Sequence, residues 1–486
     1  MGNRLLLRCF ADVRVLIAVP TWRRAGSFVR IANSTIALVA LGLAAAAVGA
    51  SPAIGQGQPG PRAYVPGEVL IGFEDGSETL LELPRSVGVQ AAARALRGNR
   101  EVSYAAPNYI AVAAGVPNDP GPGGEPGDWR RKQWNFLPCG SSCGQSVEPL
   151  EYQSPGGIDA IGAWTTIHGR GRGSGAGARV AVLDTGVAYR HLKPRFRKSP
   201  DFARRQFLRG RDFAHDDRLP LDQNGHGTHV TGTIAERTNN GIALTGLASA
   251  ARIIPVRVLD SEGLGTARDI ARGLWYAIKH QADVINMSFE FSRAVGSCRK
   301  IPTVCRALRA ATKRHGILVV GAAGNGGGDN VGDPVISYPA AAPRVLAVGG
   351  TTRDACVAEY SDYGPGLDLL APGGGNDRGV QCGDPTKDLR TDIFQLTFKG
   401  LSFRRFGYPG GYHGTSMAAA HASGVAAMVI SSQVLGGNPR RVALECQLEA
   451  TARASGTELG QPYDSTLMGA GLIDAAAAVA ARAPAC

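Results

Sequence analysis

Short apolar segments of strand length recur along the chain after Trp134, and helical patterns separate several of them. These segments are residues 180–183, 253–256, 284–285, 317–320 and 345–348. Between two of them, Ile270, Leu274 and Ile278 follow the i, i+4, i+8 spacing of one helix face. Strands that alternate with helices form βαβ units, whose parallel strands are covered by helices on both faces. The sequence therefore predicts an α/β fold with a mostly parallel central sheet.

A smaller domain precedes this pattern. Residues 54–61 are mostly Gly, Gln and Pro, which predicts a linker. An apolar strand over 69–73, a helix over 89–96 and an extended segment over 104–110 then predict a small α+β domain. Residues 115–127 are rich in Gly and Pro and mark a domain boundary.

These features divide the chain into residues 1–53, 54–117 and 118–486. The middle part contains about 50 residues of regular pattern, which is marginal for an independent fold. We therefore expect the small domain to pack on the large one.

The first 53 residues contain one long apolar stretch. Residues 36–50 carry no charge, Arg30 precedes them, and small residues follow them. A basic flank, an apolar segment of about 15 residues and small residues after it are typical of a secretory signal peptide. The alternative is an uncleaved membrane anchor, because residues 31–50 are long enough to span a bilayer. We expect a secreted protein, with a periplasmic or membrane-anchored protein as the alternative.

Basic residues outnumber acidic ones, but they form no nucleic-acid-binding pattern. The formal net charge is +12, and six arginines and one aspartate in the first 50 residues account for +5 of it. The rest of the sequence has no block of five or six basic residues and no basic stripe with interleaved aromatics. We interpret the excess charge as solvated surface and expect no nucleic-acid partner.

Eight of the nine cysteines follow the apolar stretch, and Cys9 precedes it. An even number of cysteines suits an exported protein, because disulfides form in oxidising compartments. Many pairings are compatible with the sequence. Local spacing favours testing these pairs first: Cys298 with Cys305, Cys356 with Cys382, and Cys446 with Cys486. Zinc binding is the alternative, although the close cysteine pairs lack the two-residue spacing typical of zinc sites.

Asp184 and His226 each lie next to a glycine-rich turn, one at the end of an apolar segment and the other before a helix-like segment. Asp184 ends the apolar segment 180–183, so its carboxylate would lie where the strand ends of an α/β sheet face a ligand crevice. His226 lies between two glycines before a helix-like segment, where a substrate can approach a general base closely. The alternatives are a turn-forming aspartate at the first position and a metal-binding pair of His226 and His229 at the second.

Two further polar residues have similar local settings. Ser416 begins a run of Ala, Ser and Gly that predicts a buried helix, and a helix N-terminus stabilises negative charge. Asn325 follows the segment 317–320 among glycines, and its amide can donate a hydrogen bond to an oxyanion. The alternatives are a serine that only caps the helix and an asparagine that only supports a tight turn.

Asp184, His226, Asn325 and Ser416 occur in this order, each at a strand end or a helix start. On these residues the chain resembles the subtilisin-like serine proteases, the subtilase family, in which the order Asp, His, Ser is known from subtilisin itself. The resemblance extends from about residue 134 to residue 481. Further segments that look like family signatures are residues 238–242, 283–288, 368–373 and 469–474.

The resemblance implies a secreted serine endopeptidase that works through an acyl-enzyme. Ser416 would attack the scissile carbonyl, His226 would accept its proton, and Asp184 would hold the imidazole in the required tautomer. Asn325 and the Ser416 backbone N–H would bind the oxyanion. In this family two extended segments flank the substrate, and they correspond here to Gly263, Leu264 and Gly265 on one side and to Ser288, Phe289 and Glu290 on the other.

The resemblance also gives the small domain a role. Residues 67–71 and 102–108 are similar to the beginning and the end of the inhibitory propeptide of the family. The chain would then be a self-processing precursor, whose partners are protein or peptide substrates and its own propeptide. We expect a monomer without an organic cofactor, and membrane contact only through an uncleaved signal.

Residues 239–244 resemble a calcium loop of the family. The resemblance implies a structural calcium ion that is bound by the side-chain oxygen of Asn240 and by the carbonyl oxygens of Ile242 and Leu244. The family also has an acidic residue shortly after the catalytic aspartate, but residues 191–193 are His, Leu and Lys.

The chain departs from the family pattern beside the substrate. Glu290 and Phe291 stand where the family commonly has glycines, so the substrate preference cannot be copied from relatives. An acid at this position favours, as an alternative, a processing protease selective for basic residues. Ala420 replaces a proline four residues after the nucleophile, which leaves every catalytic group in place. From another functional class, the alternative is a non-catalytic binding protein on the protease fold.

Overall fold

A computed structural model of the protein describes residues 64–84, 87–113, 129–140, 153–238, 244–326, 331–377, 392–400, 402–454 and 462–484. The predicted signal segment lies outside these residues. Within them, no helix is both long enough and apolar enough to cross a membrane.

The first described residues form the predicted α+β domain: β1 (Tyr64–Phe73), β2 (Glu78–Glu82), α1 (Val89–Leu96) and β3 (Val102–Ala113). Strand β1 pairs antiparallel with both β2 and β3. The buried residues of α1 are Val89, Ala92, Ala93 and Leu96, whose spacing places them on one helix face. The predicted helix over 89–96 is confirmed.

Further strands follow: β4 (Arg179–Asp184), β5 (Arg211–Asp212), β6 (Arg252–Arg257), β7 (Leu264–Thr266), β8 (Val284–Met287), β9 (Phe289–Phe291), β10 (Leu318–Ala322), β11 (Leu346–Thr351), β12 (Leu369–Pro372), β13 (Thr397–Phe398) and β14 (Phe406–Gly407). Seven of them form one sheet in the order β12-β11-β10-β8-β4-β6-β5. All neighbouring pairs in this sheet are parallel. The predicted parallel sheet is therefore confirmed, and each predicted apolar segment overlaps one of its strands.

The helices of the larger part are α2 (Trp129–Lys132), α3 (Ala160–Gly169), α4 (His226–Ala235), α5 (Ala267–Lys279), α6 (Pro302–Arg309), α7 (Thr415–Ser432), α8 (Arg441–Ala450), α9 (Ser465–Met468) and α10 (Ala475–Ala480). Helices α3, α4, α7, α8 and α10 contribute to one hydrophobic core, and α5 and α6 to a second. Helix α6 ends at Arg309, and the chain continues as a π-helical turn over Ala310–Arg314.

The strands of the central sheet contain continuous apolar runs because helices cover both faces of the sheet. In β4, Val180 and Val182 belong to one core, whereas Ala181 and Leu183 belong to the other. Successive side chains of a strand point to opposite faces, so a strand buried on both sides shows a continuous apolar run. This burial leaves the strand ends as the place where polar side chains can gather.

The disulfide predicted between Cys298 and Cys305 is present, and it joins α6 to the segment before it. Three other described cysteines are also disulfide-bonded: Cys139, Cys356 and Cys446. Cys382 and Cys486 lie outside the described residues, so their pairings with Cys356 and Cys446 stay predictions.

Candidate active site

The four residues predicted to be catalytic lie along one edge of the central sheet. Asp184 is the last residue of β4, and Asn325 follows the end of β10 by three residues. His226 begins α4, and Ser416 is the second residue of α7. Ligands of parallel sheets bind outside the carboxyl ends of the strands. At that edge, hydrogen bonds join His226 to Asp184 and Thr415, the residue before Ser416, to Asn325.

Asp184 orients His226 through a short hydrogen bond. His226 Nδ1 lies 2.7 Å from Asp184 Oδ1, and both side chains are buried. The same oxygen accepts a hydrogen bond of 2.7 Å from the backbone N–H of Thr185. A carboxylate only accepts, so Nδ1 carries the proton and Nε2 has the free electron pair. His226 Nε2 is buried, and no described residue forms a hydrogen bond with it.

Gly227 allows α4 to start directly against the loop that follows β4. A Cβ atom at position 227 would lie 2.2 Å from the carbonyl oxygen of Gly186 and 2.9 Å from Asp184 Oδ1. Both distances are shorter than van der Waals contact, so a side chain there would move His226 away from Asp184. The glycine beside the histidine is thus part of the geometry of the site.

Asp222 shapes the turn that leads into α4. Its Oδ1 accepts hydrogen bonds of 2.9 Å from the backbone N–H groups of Asn224 and Gly225, and its Oδ2 accepts one of 2.9 Å from that of Thr228. The Thr185 hydroxyl also donates to Oδ1 at 3.0 Å, which ties the turn to the end of β4. Burial raises the pKa of Asp222, and these hydrogen bonds oppose the rise.

The sequence pattern did not identify Asp222. The local signal was present, because an aspartate followed by an Asn-Gly turn commonly accepts hydrogen bonds from the backbone N–H groups after it. From the sequence alone, Asp222 resembles an ordinary turn residue. Its hydrogen bond with Thr185 cannot be seen there, because the two residues are distant along the chain.

Ser416 and Ser288 exchange hydrogen bonds. Ser416 Oγ donates to the carbonyl oxygen of Ser288 at 3.1 Å, and Ser288 Oγ donates to that of Ser416 at 2.8 Å. Asn286 Nδ2 donates to Ser288 Oγ at 2.9 Å, and Ser423 Oγ donates to Asn286 Oδ1 at 2.9 Å. These bonds fasten the first turns of α7 to the end of β8.

The amide group of Asn325 is oriented by Thr415. Asn325 Oδ1 accepts hydrogen bonds from the Thr415 N–H at 2.9 Å and from the Thr415 hydroxyl at 3.2 Å. The amide must then turn its Nδ2 away from Thr415. Nδ2 is buried and has no hydrogen-bond partner among the described residues. A buried donor without an acceptor has the chemistry that an oxyanion requires.

The two predicted substrate-flanking segments are both paired with the end of the small domain. Strand β3 runs antiparallel to β7 and β9 and lies between them. Ala111 lies opposite Gly265, Val112 lies opposite Leu264 and Glu290, and Ala113 lies opposite Phe289. Gly263 forms the turn before β7, and Ser288 precedes β9. The small domain therefore places an extended backbone in the groove between these segments.

Glu290 lies close to the backbone that precedes Asn325. A Cβ atom at Gly324 would lie 2.7 Å from Glu290 Oε2 and 2.6 Å from Ser337 Oγ. Burial raises the pKa of Glu290, hydrogen bonding from Ser337 lowers it, and the negative charge of Asp362 raises it again. The sequence pattern singled out Glu290 but neither Ser337 nor Asp362, because both come from distant segments without a motif of their own.

His229 occupies a different environment from His226. Its Nε2 lies 2.8 Å from the carbonyl oxygen of Ile393, and its ring stacks on Tyr412 at 4.1 Å between centroids. Burial lowers the pKa of His229 to about 3, so the ring is neutral. Across the described ranges, no three His, Cys, Asp or Glu side chains cluster as metal ligands. The structure therefore gives the His229 ring a packing role against Tyr412 and Ile393.

Only part of the predicted calcium loop is described. Leu244 is buried, whereas Asn240 and Ile242 lie outside the described residues. The two ends of the loop are joined, because the backbone N–H of Gly246 donates to the carbonyl oxygen of Glu236 at 3.2 Å.

Glu236, at the start of this loop, carries a buried carboxylate that the sequence pattern did not identify. Its Oε1 accepts the backbone N–H of Leu396 at 3.2 Å, while Oε2 has no hydrogen-bond partner in the described part of the chain. Burial raises the pKa of Glu236 well above its usual value, and the charge of Asp201 adds to the rise. Carboxylate oxygens are among the ligands that a calcium ion prefers.

Comparisons with known proteins agree with the geometry. Residues 175–471 match the model of the subtilase family. The thermophilic serine proteinase of Bacillus sp. (strain AK1) is 31% identical over an alignment of 392 residues that covers 76% of this chain and 79% of that protein. Subtilisin BL of Lederbergia lenta is 35% identical over 324 residues, which are 67% of this chain and 98% of that protein. A solved protease structure from Pseudoalteromonas arctica PAMC 21717 superposes with a TM-score of 0.54 at 32% identity, and the match covers 67% of this chain and 94% of that chain.

Proposed function

Because the chain belongs to the subtilase family and is a serine endopeptidase of that family, we propose that Asp184, His226 and Ser416 form its catalytic triad. The observation that carries this proposal is the 2.7 Å contact between Asp184 Oδ1 and His226 Nδ1, which leaves Nε2 without a partner among the described residues. A histidine in this tautomer can accept the proton of a serine hydroxyl.

In the proposed reaction, Ser416 Oγ attacks the carbonyl carbon of the scissile peptide bond while His226 Nε2 takes its proton. The carbonyl oxygen becomes an oxyanion, and His226 then gives the proton to the leaving amine. The acyl group remains on Ser416 until water, activated by the same histidine, attacks it. Asp184 stays ionised and stabilises the imidazolium that forms in each half of the reaction.

Asn325 Nδ2 and the Ser416 backbone N–H are the proposed oxyanion donors. The orientation of the Asn325 amide by Thr415 and the lack of a described partner for Nδ2 support this role. Loss of one such side-chain donor costs about 2.7–4 kcal/mol of transition-state stabilisation, a range that comes from subtilisin, a relative of this chain.

We propose that substrates bind as an extended strand between β7 and β9. The pairing of β3 with both strands at residues 111–113 supports this, because the small domain then uses its backbone as a substrate would. Gly263, Leu264, Gly265, Ser288, Phe289 and Glu290 would line the two sides of the groove. Addition of a strand to exposed edges gives affinity through main-chain hydrogen bonds and is a common mode of peptide recognition.

The small domain, residues 54–117, would then be an inhibitory propeptide that the enzyme removes by itself. Ala113, the last described residue of β3, lies opposite Phe289, which directly follows Ser288, and the Ser288 carbonyl oxygen accepts the Ser416 hydrogen bond. We therefore expect self-cleavage in the linker of residues 115–128, which begins two residues after Ala113. N-terminal sequencing of the mature protein tests this position.

A structural calcium ion belongs to the same proposal. Asn240, Ile242 and Leu244 would bind it, and the buried carboxylate of Glu236 at the start of the loop fits a nearby cation. When bound, the ion would hold the loop in one conformation and would take no part in the chemistry.

We also propose that the protein is secreted through the signal in residues 1–53 and acts as a monomer on protein or peptide substrates. The disulfide between Cys298 and Cys305 supports an oxidising compartment. A processing protease selective for basic residues is the second candidate, because Glu290 lies in β9 beside the substrate groove.

A fluorophosphonate probe tests the proposed triad, because it reacts with an activated serine. We expect the mature enzyme to be labelled on Ser416, and we expect Ser416→Ala to remain unlabelled. Labelling of the wild type at another residue would overturn the assignment. A cleavage profile on a peptide library then separates a broad endopeptidase from one selective for basic residues.

A further inference from the structure

The backbone on both sides of Asn325 is bound by one residue, Asp362. The backbone N–H of Asp362 donates to the carbonyl oxygen of Gly324 at 3.0 Å. Asp362 Oδ1 accepts the backbone N–H of Gly326 at 3.0 Å. Gly324 and Gly326 flank Asn325, so Asp362 fastens the chain directly before and directly after the proposed oxyanion donor.

The carboxylate of Asp362 is itself fixed by several donors. Oδ1 also accepts the backbone N–H of Asp333 at 2.9 Å. Oδ2 accepts a hydrogen bond from the guanidinium group of Arg293 and one of 3.3 Å from the Ser337 hydroxyl. The Asp362 side chain is buried, whereas the Arg293 side chain is 29% exposed. A buried carboxylate with this many donors has one well-defined position.

Close packing around Gly324 makes the position of Asn325 depend on the position of the Asp362 carboxylate. A Cβ atom at Gly324, whose φ is +120°, would lie 1.9 Å from Asp362 Oδ2 and 2.7 Å from Glu290 Oε2. Two carboxylates therefore touch the backbone immediately before Asn325. A shift of the Asp362 carboxylate would move this backbone, since no free space separates them.

Arg293 balances the negative charge around Asp362. Among the described residues, the charged groups near Asp362 include Glu290, Asp333 and Arg293, and Arg293 also pairs with Asp333 at 3.0 Å. Burial raises the pKa of Asp362, and its hydrogen bonds and the charge of Arg293 oppose the rise. Without Arg293, the carboxylate would be protonated at a higher pH.

We propose that Asp362, with Arg293 as its counter-ion, is a positioning residue that sets the place of the Asn325 amide in the oxyanion hole. This inference rests on the proposed function, in which Asn325 Nδ2 donates to the oxyanion. Oxyanion donors act through preorganisation at the site where charge develops. A displaced donor therefore lowers kcat more than it changes KM, because its interaction is formed only in the transition state.

A double-mutant cycle with Asp362→Asn and Asn325→Ala tests the proposal. We expect Asn325→Ala to lower kcat by about 10²–10³-fold. We expect Asp362→Asn alone to lower kcat by about 10-fold, with KM changed by less than about twofold. In the Asn325→Ala background, Asp362→Asn should lower kcat by less than about twofold, since the donor on which it acts is already absent.

An equal loss of kcat from Asp362→Asn in both backgrounds would overturn the inference, and so would an unchanged kcat in the otherwise native enzyme. An unchanged kcat in Asn325→Ala would instead contradict the proposed function. The matched control is Asp283→Asn, which removes the charge of another buried carboxylate, one that accepts the backbone N–H of Arg179 away from the site. We expect this control to keep the native kcat.

Arg293→Gln keeps the inference testable if Asp362→Asn does not fold. This variant removes the counter-ion but leaves the backbone donors of Asp362 in place. We expect a lower kcat with KM changed by less than about twofold, because the Asp362 carboxylate loses the cation that helps to fix its position. An unchanged kcat would overturn the role of the Arg293–Asp362 pair.

Discussion

Ser416 and Ser288 each donate a side-chain hydrogen bond to the backbone carbonyl oxygen of the other. The hydroxyl of the proposed nucleophile is therefore directed at the segment that would pair with the substrate. This arrangement couples the start of α7 to the substrate groove, because a movement of either backbone would stretch both bonds. These two hydrogen bonds therefore couple the proposed nucleophile to one side of the substrate groove.

Replacement of the nucleophile tests both catalysis and self-processing. We expect Ser416→Ala to abolish peptidase activity and to leave the precursor uncut in the linker of residues 115–128, because the same serine performs both reactions. Gel electrophoresis and N-terminal sequencing measure the processing. The control is Ser432→Ala at the other end of α7, whose hydroxyl donates to the carbonyl oxygen of Val429, and which should be processed normally. A normal mature N-terminus in Ser416→Ala would show that another protease makes the cut.

Replacement of the triad aspartate tests the tautomer of the histidine. We expect Asp184→Asn to lower kcat by about 10⁴-fold, because an amide donor facing Nδ1 would place the histidine proton on Nε2. KM should change little. The control is Asp368→Asn, which alters a buried carboxylate bonded to the backbone N–H of Ala347. A loss below about tenfold in Asp184→Asn would contradict the assigned role.

The neutral ring of His229 predicts a pH dependence of stability. Its pKa in the folded protein is about 3, whereas a free histidine titrates at about 6.5. Between these values the unfolded chain binds a proton that the folded chain does not bind. The free energy of unfolding therefore decreases as the pH falls from about 6.5 toward 3, by at most about 1.4 kcal/mol per pH unit for this residue.

Denaturation of His229→Gln at several pH values measures this contribution. We expect the slope of the unfolding free energy against pH between about 4 and 6 to be smaller than in the wild type by about 1.4 kcal/mol per unit. The control is His168→Gln, which changes an exposed histidine of α3. Parallel curves for wild type and His229→Gln would rule out a buried neutral ring.

Removal of calcium should lower the melting temperature. An ion that binds only the folded state stabilises it by mass action, by about 2.7 kcal/mol at a free concentration 100 times its Kd. We expect a chelator to lower the melting temperature of the wild type and to have a much smaller effect on Asn240→Ala. Asn239→Ala, at a neighbouring residue that is not a proposed ligand, is the control. Equal melting temperatures of the wild type in excess calcium and in chelator would contradict the proposed calcium site.

Glu290 should affect the preference for basic residues only modestly. Opposite charges about 4 Å apart attract by roughly 4 kcal/mol at an effective dielectric constant of 20, but the Glu290 carboxylate is buried beside Gly324 and hydrogen-bonded by Ser337, which leaves it little freedom to reach a substrate side chain. We therefore expect the ratio of kcat/KM for matched Arg and Leu peptides to fall several-fold at most in Glu290→Gln. Glu262→Gln, an exposed acid in the turn before β7, is the control. An unchanged ratio in Glu290→Gln would mean that Glu290 does not recognise substrate charge.

The amino-acid sequence by itself was sufficient to predict the α/β fold. The strands of a sheet covered on both faces have near-continuous apolar runs, so segments such as residues 180–183 stand out without knowledge of any contact. Asp184, His226, Asn325 and Ser416 could also be placed at strand ends or helix starts, because each lies within a short glycine-rich motif, whereas their proposed roles came from the resemblance to the subtilase family. These signals are local, and a window of a few residues contains them.

Only the tertiary structure decided which side chains support these four. Asp222 contacts Thr185, Asp362 contacts Gly326, and β3 of the small domain pairs with β7 and β9. Each of these interactions joins segments that are distant along the chain, so no periodicity or spacing within one segment marks it. A hydrogen bond between such segments depends on where the packed core places both ends, and this placement exists only in the folded molecule.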